Sequence, residues 1–269
     1  MSIYITFFTY FALIIFISLG LAYLIMKWTF SSKRHKRLFK SFNGMSITGL
    51  NSGAIILMSL SLAFVFSQIS TVNQSAKLAV LQESDALRTI GRISLNIDPE
   101  LGVPLMSATR IYAQTVIDEE WPQLNKGKST EIRQGIGSAL IPLTKMSDIV
   151  YSPESLKKLP QATSNQLSQL VTRIRENRLT RIDASNYSIG MRALILALIT
   201  TVTSSVMISL SELSKPRAQF LSNFTFFIVL LTAMYLAYAA QNPFAGLDYI
   251  PDTPVREALD RLYKMQLAK

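Results

Sequence analysis

The chain has 269 residues, 49% of them apolar, with no cysteine, one histidine and a net charge of +10. A chain without cysteine has no disulfides, thiolate metal sites, iron–sulfur clusters or cysteine nucleophiles, and a single histidine (His35) leaves most catalytic triads and metal-hydrolase sites unbuildable. Only 16% of residues are charged, against about 25% in an average soluble domain, and the deficit is gathered into four apolar blocks.

The first block, residues 5–26 (ITFFTYFALIIFISLGLAYLIM), carries no charge. A bilayer core of about 30 Å needs about 20 helical residues, so it predicts a first transmembrane span. A cleaved signal peptide is the rival reading. It is disfavoured because no basic residue precedes the block and no A-x-A-like site follows it.

Residues 27–46 then hold Lys27, Lys33, Arg34, Lys36, Arg37 and Lys40 with no acidic residue. A basic excess beside a span is topology-setting charge and attracts anionic lipid headgroups, so the predicted partner of this loop is the bilayer surface and not nucleic acid. The second span is predicted over residues 47–69. Within it Ile56, Leu60 and Phe64 recur every four residues. In a symmetric oligomer that stripe would make an apolar constriction that gates by dewetting. Contact with lipid or a neighbouring helix is the plainer alternative.

From residue 70 the apolar pattern continues at spacings of three and four through Ala76, Val80, Leu87 and Ile90, which predicts one long helix ending near Asp98-Pro99. A second helix, about 103–120, carries Arg110-Ile111-Tyr112 and is expected to stop at Trp121-Pro122. Ser129-Thr130-Glu131-Ile132 predicts the start of a third, and a fourth runs over about 161–186. Asp118, Glu119 and Glu120 are consecutive carboxylates. Successive helical residues point apart, so they predict salt bridges to Arg173, Arg175 or Arg178, or a hydrated face, ahead of a calcium cage.

The third and fourth spans are predicted over about 190–210 and 220–240. In the third, Thr200, Thr201 and Ser204 are candidates for a polar pathway, with helix contacts as the alternative use of their hydroxyls. A tail over 241–269 ends in a short amphipathic helix, about 253–265. The expected architecture is therefore all-α, with transmembrane pairs in 1–69 and 187–240 flanking a helical extramembrane domain, 70–186. The positive-inside rule places the loops at 27–46 and 211–217 in the cytoplasm, and the central domain and both termini outside it.

Three short elements add a resemblance. Glu120-Trp121-Pro122 follows the helix with Arg110-Ile111-Tyr112, an arginine run (Arg173, Arg175, Arg178) leads into the third span, and Asn242-Pro243-Phe244-Ala245-Gly246 follows the fourth. In this order and at this spacing the chain resembles the bestrophin-like domain family of bacterial membrane proteins over about residues 45–262. Bestrophins are pentameric anion channels with four spans per subunit. The resemblance thus implies a homo-oligomeric channel in the bacterial inner membrane, lined by the second span; the residues themselves point to no cofactor and no enzymatic site. It also implies a cytoplasmic helical domain, opposite to the side the loop charges favour. A non-conducting membrane subunit whose extramembrane helices bind a partner is the alternative function.

Overall fold

The computed structural model describes residues 47–126, 139–187, 199–208, 216–245 and 249–267, with Gly20 and Leu24. Apart from Gly20 and Leu24, the first predicted span lies outside the described residues, as do the basic loop 27–46, the helix start at 129–132 and Gly246.

The described residues form helices joined by turns, with no strand among them. In chain order the helices are α1 (Ile47–Asn96), α2 (Pro99–Thr115), α3 (Trp121–Asn125), α4 (Leu140–Val150), α5 (Pro153–Lys158), α6 (Gln161–Ser185), α7 (Ile199–Ile208), α8 (Pro216–Ala239) and α9 (Thr253–Leu267). A π-helical turn, Val116–Glu120, joins α2 to α3. Two of these helices hold stretches long and apolar enough to cross a membrane, within Ile55–Asn96 and Leu221–Ala239; Ile199–Ile208 is apolar but shorter.

The chain divides into two compact units, residues 1–68 with 189–238, and residues 69–188 with 239–269. In the first, Met58 of α1 packs with Phe227, Leu230 and Met234 of α8. Buried polar groups meet beside them, with Ser205 Oγ donating to Asn223 Oδ1 at 3.3 Å.

The second unit holds the larger core. Leu87 and Ile90 of α1, Leu105 and Tyr112 of α2, Leu143 and Met146 of α4, and Leu167 and Ile174 of α6 are almost wholly buried in it. Each large apolar side chain so buried contributes about 1.5–3 kcal/mol. Val255, Ala258, Leu259 and Leu262 form the buried stripe of α9, the amphipathic tail helix expected from the sequence.

The turn from α1 to α2 is tight and has two local causes. Asp98 caps α2, its Oδ1 accepting from the Glu100 amide at 3.0 Å, and Pro99 takes the first helical position, where no N–H is needed. Gly102 then passes so close to α1 that a Cβ there would lie 2.2 Å from the Ser94 carbonyl oxygen. Only glycine permits that approach.

The expected stop at Trp121-Pro122 does not occur. Helical backbone continues to Asn125 because the intervening turn widens, with the Trp121 N–H reaching back five residues to the Val116 carbonyl. Pro122, which has no donor to lose, sits in the first turn of the new helix.

Candidate functional site

Three consecutive carboxylates lie in the widened turn. Asp118 and Glu119 stay on the surface, while Glu120 turns fully inward. On α6, Arg178 and Arg181 are three residues apart and so share a face, and that face is the buried one. Glu83 of α1 is buried as well, on the same stripe as Ala76, Val80, Leu87 and Ile90.

These four charges meet. Arg181 donates from Nε to Glu83 Oε2 and from Nη2 to Glu83 Oε1, both at 3.1 Å. The same Nη2 lies 3.1 Å from Glu120 Oε2, so one guanidinium bridges both carboxylates. Arg178 donates from Nε and Nη2 to Glu120 Oε1 at 2.9 and 2.5 Å. The Tyr112 hydroxyl donates to Glu83 Oε1 at 2.6 Å. Two carboxylates face two guanidiniums, so the buried cluster is neutral overall. That balance is what makes it tolerable, since an unpaired ion at this depth costs several kcal/mol.

The aromatic side chains of two motifs close the cluster. The Arg181 guanidinium carbon lies 5.4 Å from the centre of the Trp121 ring, within cation–π range. Trp121 in turn meets Phe244 edge to face, centroids 5.5 Å apart and planes at 85°. Asn242 fixes the turn that delivers Phe244: its Oδ1 accepts from the Phe244 amide at 2.9 Å, and its Nδ2 donates to the Leu124 carbonyl at 3.3 Å. Pro243 is buried beside it, and its carbonyl accepts from Ile250 N at 2.7 Å.

Electrostatics follow from burial. The Tyr112 hydroxyl is pushed well above its ordinary value of 10, first by burial and then by the negative charge of Glu83, so it holds its proton. For Arg181 burial works against the charge, but Glu83 and then Glu120 outweigh it and the net shift is upward. The cluster has no free nucleophile and no open coordination position, and both carboxylates are fully engaged. It holds four chain segments together: α1, the α2–α3 connection, α6 and the turn after α8.

The predicted site residues are thus distributed unevenly. Glu120, Trp121, Arg178 and Phe244 come together, with Pro122 and Pro243 shaping the backbone around them. Arg173 is exposed, and Arg175 donates to Ser147 Oγ at 3.1 Å instead of to a carboxylate. Glu83, Tyr112 and Arg181 complete the cluster and were not singled out from the sequence for this role. Among the described residues no group of three or more His, Asp or Glu could hold a metal, and Glu120 is already engaged by arginine.

In the other unit, Ile56, Leu60 and Phe64 are 65%, 66% and 56% exposed. They lie on the side of α1 opposite Met58, Ser61 and Val65, which are buried. Thr201 and Ser204 are turned inward, while Thr200 is partly exposed.

The model of a family described as the Bestrophin-like domain matches residues 12–254. A crystal structure of a bacterial bestrophin homologue from Klebsiella pneumoniae, a single-substitution variant, superposes with a TM-score of 0.62 at 15% identity, covering 93% of this chain and 98% of that one. A second structure of a bacterial bestrophin homologue from that organism, solved by zinc phasing, gives a TM-score of 0.62 at 14% identity over 94% of this chain and 97% of that one. At these identities the likeness is one of fold. No curated protein matches the chain.

Proposed function

The chain belongs to the bestrophin-like domain family, and from that premise we propose that it is a four-span membrane protein assembling as a homo-oligomeric ion channel, with anions as the conducted species. The observation that carries the proposal is the apolar face of α1. Only 22% of its most apolar window is buried within the subunit, so the remainder must meet lipid or other copies of the chain. Ile56, Leu60 and Phe64 lie on a face turned away from the packed side. In a symmetric ring they would project toward the axis in three tiers and form a dewetting constriction. A polar route beside it would use Thr200, whose side chain is partly exposed; Thr201 and Ser204 would serve helix contacts.

The remaining parts of the proposal concern placement. The basic loop 27–46 would face the cytoplasm against anionic headgroups, and the central helices and both termini would lie on the other side. Single cysteines at Lys36 and Lys126, labelled with an impermeant reagent on intact cells, test this: labelling at 126 alone is expected, and labelling at 36 alone overturns the orientation.

Conduction is tested by reconstituting the purified protein in liposomes and measuring flux in chloride, nitrate and sodium salts. Flux through a correctly inserted protein supports the channel. Silence in every salt, with insertion verified, overturns it and favours a non-conducting subunit of a larger assembly. That second reading has its own observation, the exposed Ile141 and Leu156 (74% and 58%) outside the apolar spans.

A further inference from the structure

The arginine of the Arg110-Ile111-Tyr112 element takes no part in the buried cluster. It lies instead in a cleft of about 240 Å³ between the end of α1, one face of α2 and the end of α9, lined by Ser94, Gly102, Val103, Met106, Arg110 and Gln266 among others. That volume falls below the roughly 300–1,000 Å³ of drug-sized sites, and so suits a small molecule.

Arg110 is held in an unusual state for a half-buried cation. Its guanidinium lies over the Tyr263 ring, 4.0 Å from the centroid, and its Nη1 donates to the neutral side-chain oxygen of Gln266. Its Nε is buried and has no hydrogen-bond partner. Arg88, Arg178, Arg181 and Arg256 each pair with a carboxylate; among the described residues none pairs with Arg110. Stacking fixes the plane of the guanidinium, and Gln266 occupies one end of it. Its buried Nε faces inward, so the end formed by Nη1 and Nη2 is the one a ligand can reach, and that end matches the two oxygens of a planar carboxylate. Val103 and Met106 supply an apolar wall next to it.

We infer that this cleft binds a small organic monocarboxylate, its charged end on the Nη1–Nη2 end of Arg110 in place of Gln266 and its apolar body against Val103 and Met106. Gln266 is the internal stand-in. A carboxylate displaces it because charge-assisted hydrogen bonds are about twice as strong as neutral ones. The inference concerns binding alone and does not rest on conduction.

The test uses the full-length protein in detergent and 4-fluorobenzoate as probe, followed by fluorine NMR line broadening, with 4-fluorobenzamide as the uncharged control. Saturable broadening of the benzoate is expected, weakened at least about tenfold by Arg110→Gln. Val103→Trp should abolish it by filling the cleft; Val103 is 65% exposed, so this variant leaves the core untouched. Gln266→Ala, which removes the stand-in, should tighten binding. Broadening that does not saturate, that is equal for the amide, or that survives both Arg110→Gln and Val103→Trp would mean partition into the micelle and would overturn the site. So would the absence of binding to the unaltered protein.

Discussion

Replacing Arg181 with methionine keeps most of the side-chain volume and removes one positive charge from a buried cluster that is otherwise balanced. Glu83 then retains only the Tyr112 hydroxyl, and Glu120 only Arg178. Two carboxylates share one cation, leaving one negative charge uncompensated at full burial. Breaking a buried ion pair from one side costs about 3–5 kcal/mol. At roughly 2–4 °C per kcal/mol for a domain of this size, melting should fall by about 6–20 °C. Intrinsic fluorescence is a suitable readout during thermal denaturation in detergent, because Trp121 lies against the cluster. Adding Glu83→Gln to Arg181→Met removes the surplus charge, so the double variant should be more stable than the single. A single-variant loss below about 1 kcal/mol, the range of an exposed pair, with no rescue by the double variant, would refute the charge-balance reasoning.

Three further outcomes follow from other contacts. Tyr112→Phe should cost about 1.5–3 kcal/mol at neutral pH, as for a hydrogen bond to a charged group. Because the folded-state hydroxyl titrates above its ordinary value of 10, its contribution is complete below that pH and is lost as pH rises beyond it, so the phenylalanine variant should show a shallower alkaline decline in melting than the parent. Gly102→Ala sets a methyl group 2.2 Å from the Ser94 carbonyl and should destabilise by about 1–3 kcal/mol, as overpacking does, read from the same melts; an unchanged midpoint would show that the α1–α2 turn yields freely. Leu60→Ser should raise flux in liposomes several-fold by wetting the constriction, and unaltered flux would remove Ile56, Leu60 and Phe64 as the gate.

The helices were legible because burial imposes a period on them. Ala76, Val80, Leu87 and Ile90 repeat at helical spacing, and α1 ends at Asn96, just before the Asp98-Pro99 pair that signals the next start. The fourth extramembrane helix, expected over 161–186, is Gln161–Ser185. The helical continuation through Trp121 was not legible. Proline normally marks a stop, and nothing local announces that a five-residue hydrogen-bond step will place Pro122 where its missing N–H does not matter. The short helix Pro153–Lys158 also escaped. It is held by a Ser152 cap, by burial of Ser155, and by Lys158 reaching Asp98 at 3.7 Å and Glu154 at 2.8 Å, of which only the cap and the Lys158–Glu154 pair are local.

The charged cluster was half legible, and the missing half had a signal. Acidic residues near Trp121 and arginines ahead of the third span were expected to pair, and Glu120 with Arg178 does so. The expectation counted charges by proximity along the chain, whereas the fold selects them by phase. Leu167, Val171, Ile174, Arg178, Arg181 and Ile182 lie on one stripe of α6, so Arg178 and Arg181 occupy positions that otherwise hold apolar side chains; Arg173 and Arg175 do not. Glu83 interrupts the Ala76–Val80–Leu87–Ile90 stripe in the same way. A charge in phase with a buried stripe must find its opposite inside the core, because leaving it unpaired there costs more than such a fold can bear. Each of these in-phase charges therefore called for an opposite charge on another buried stripe. Glu120 obeys the same rule, since Tyr112, Val116 and Glu120 recur every four residues and all three are buried.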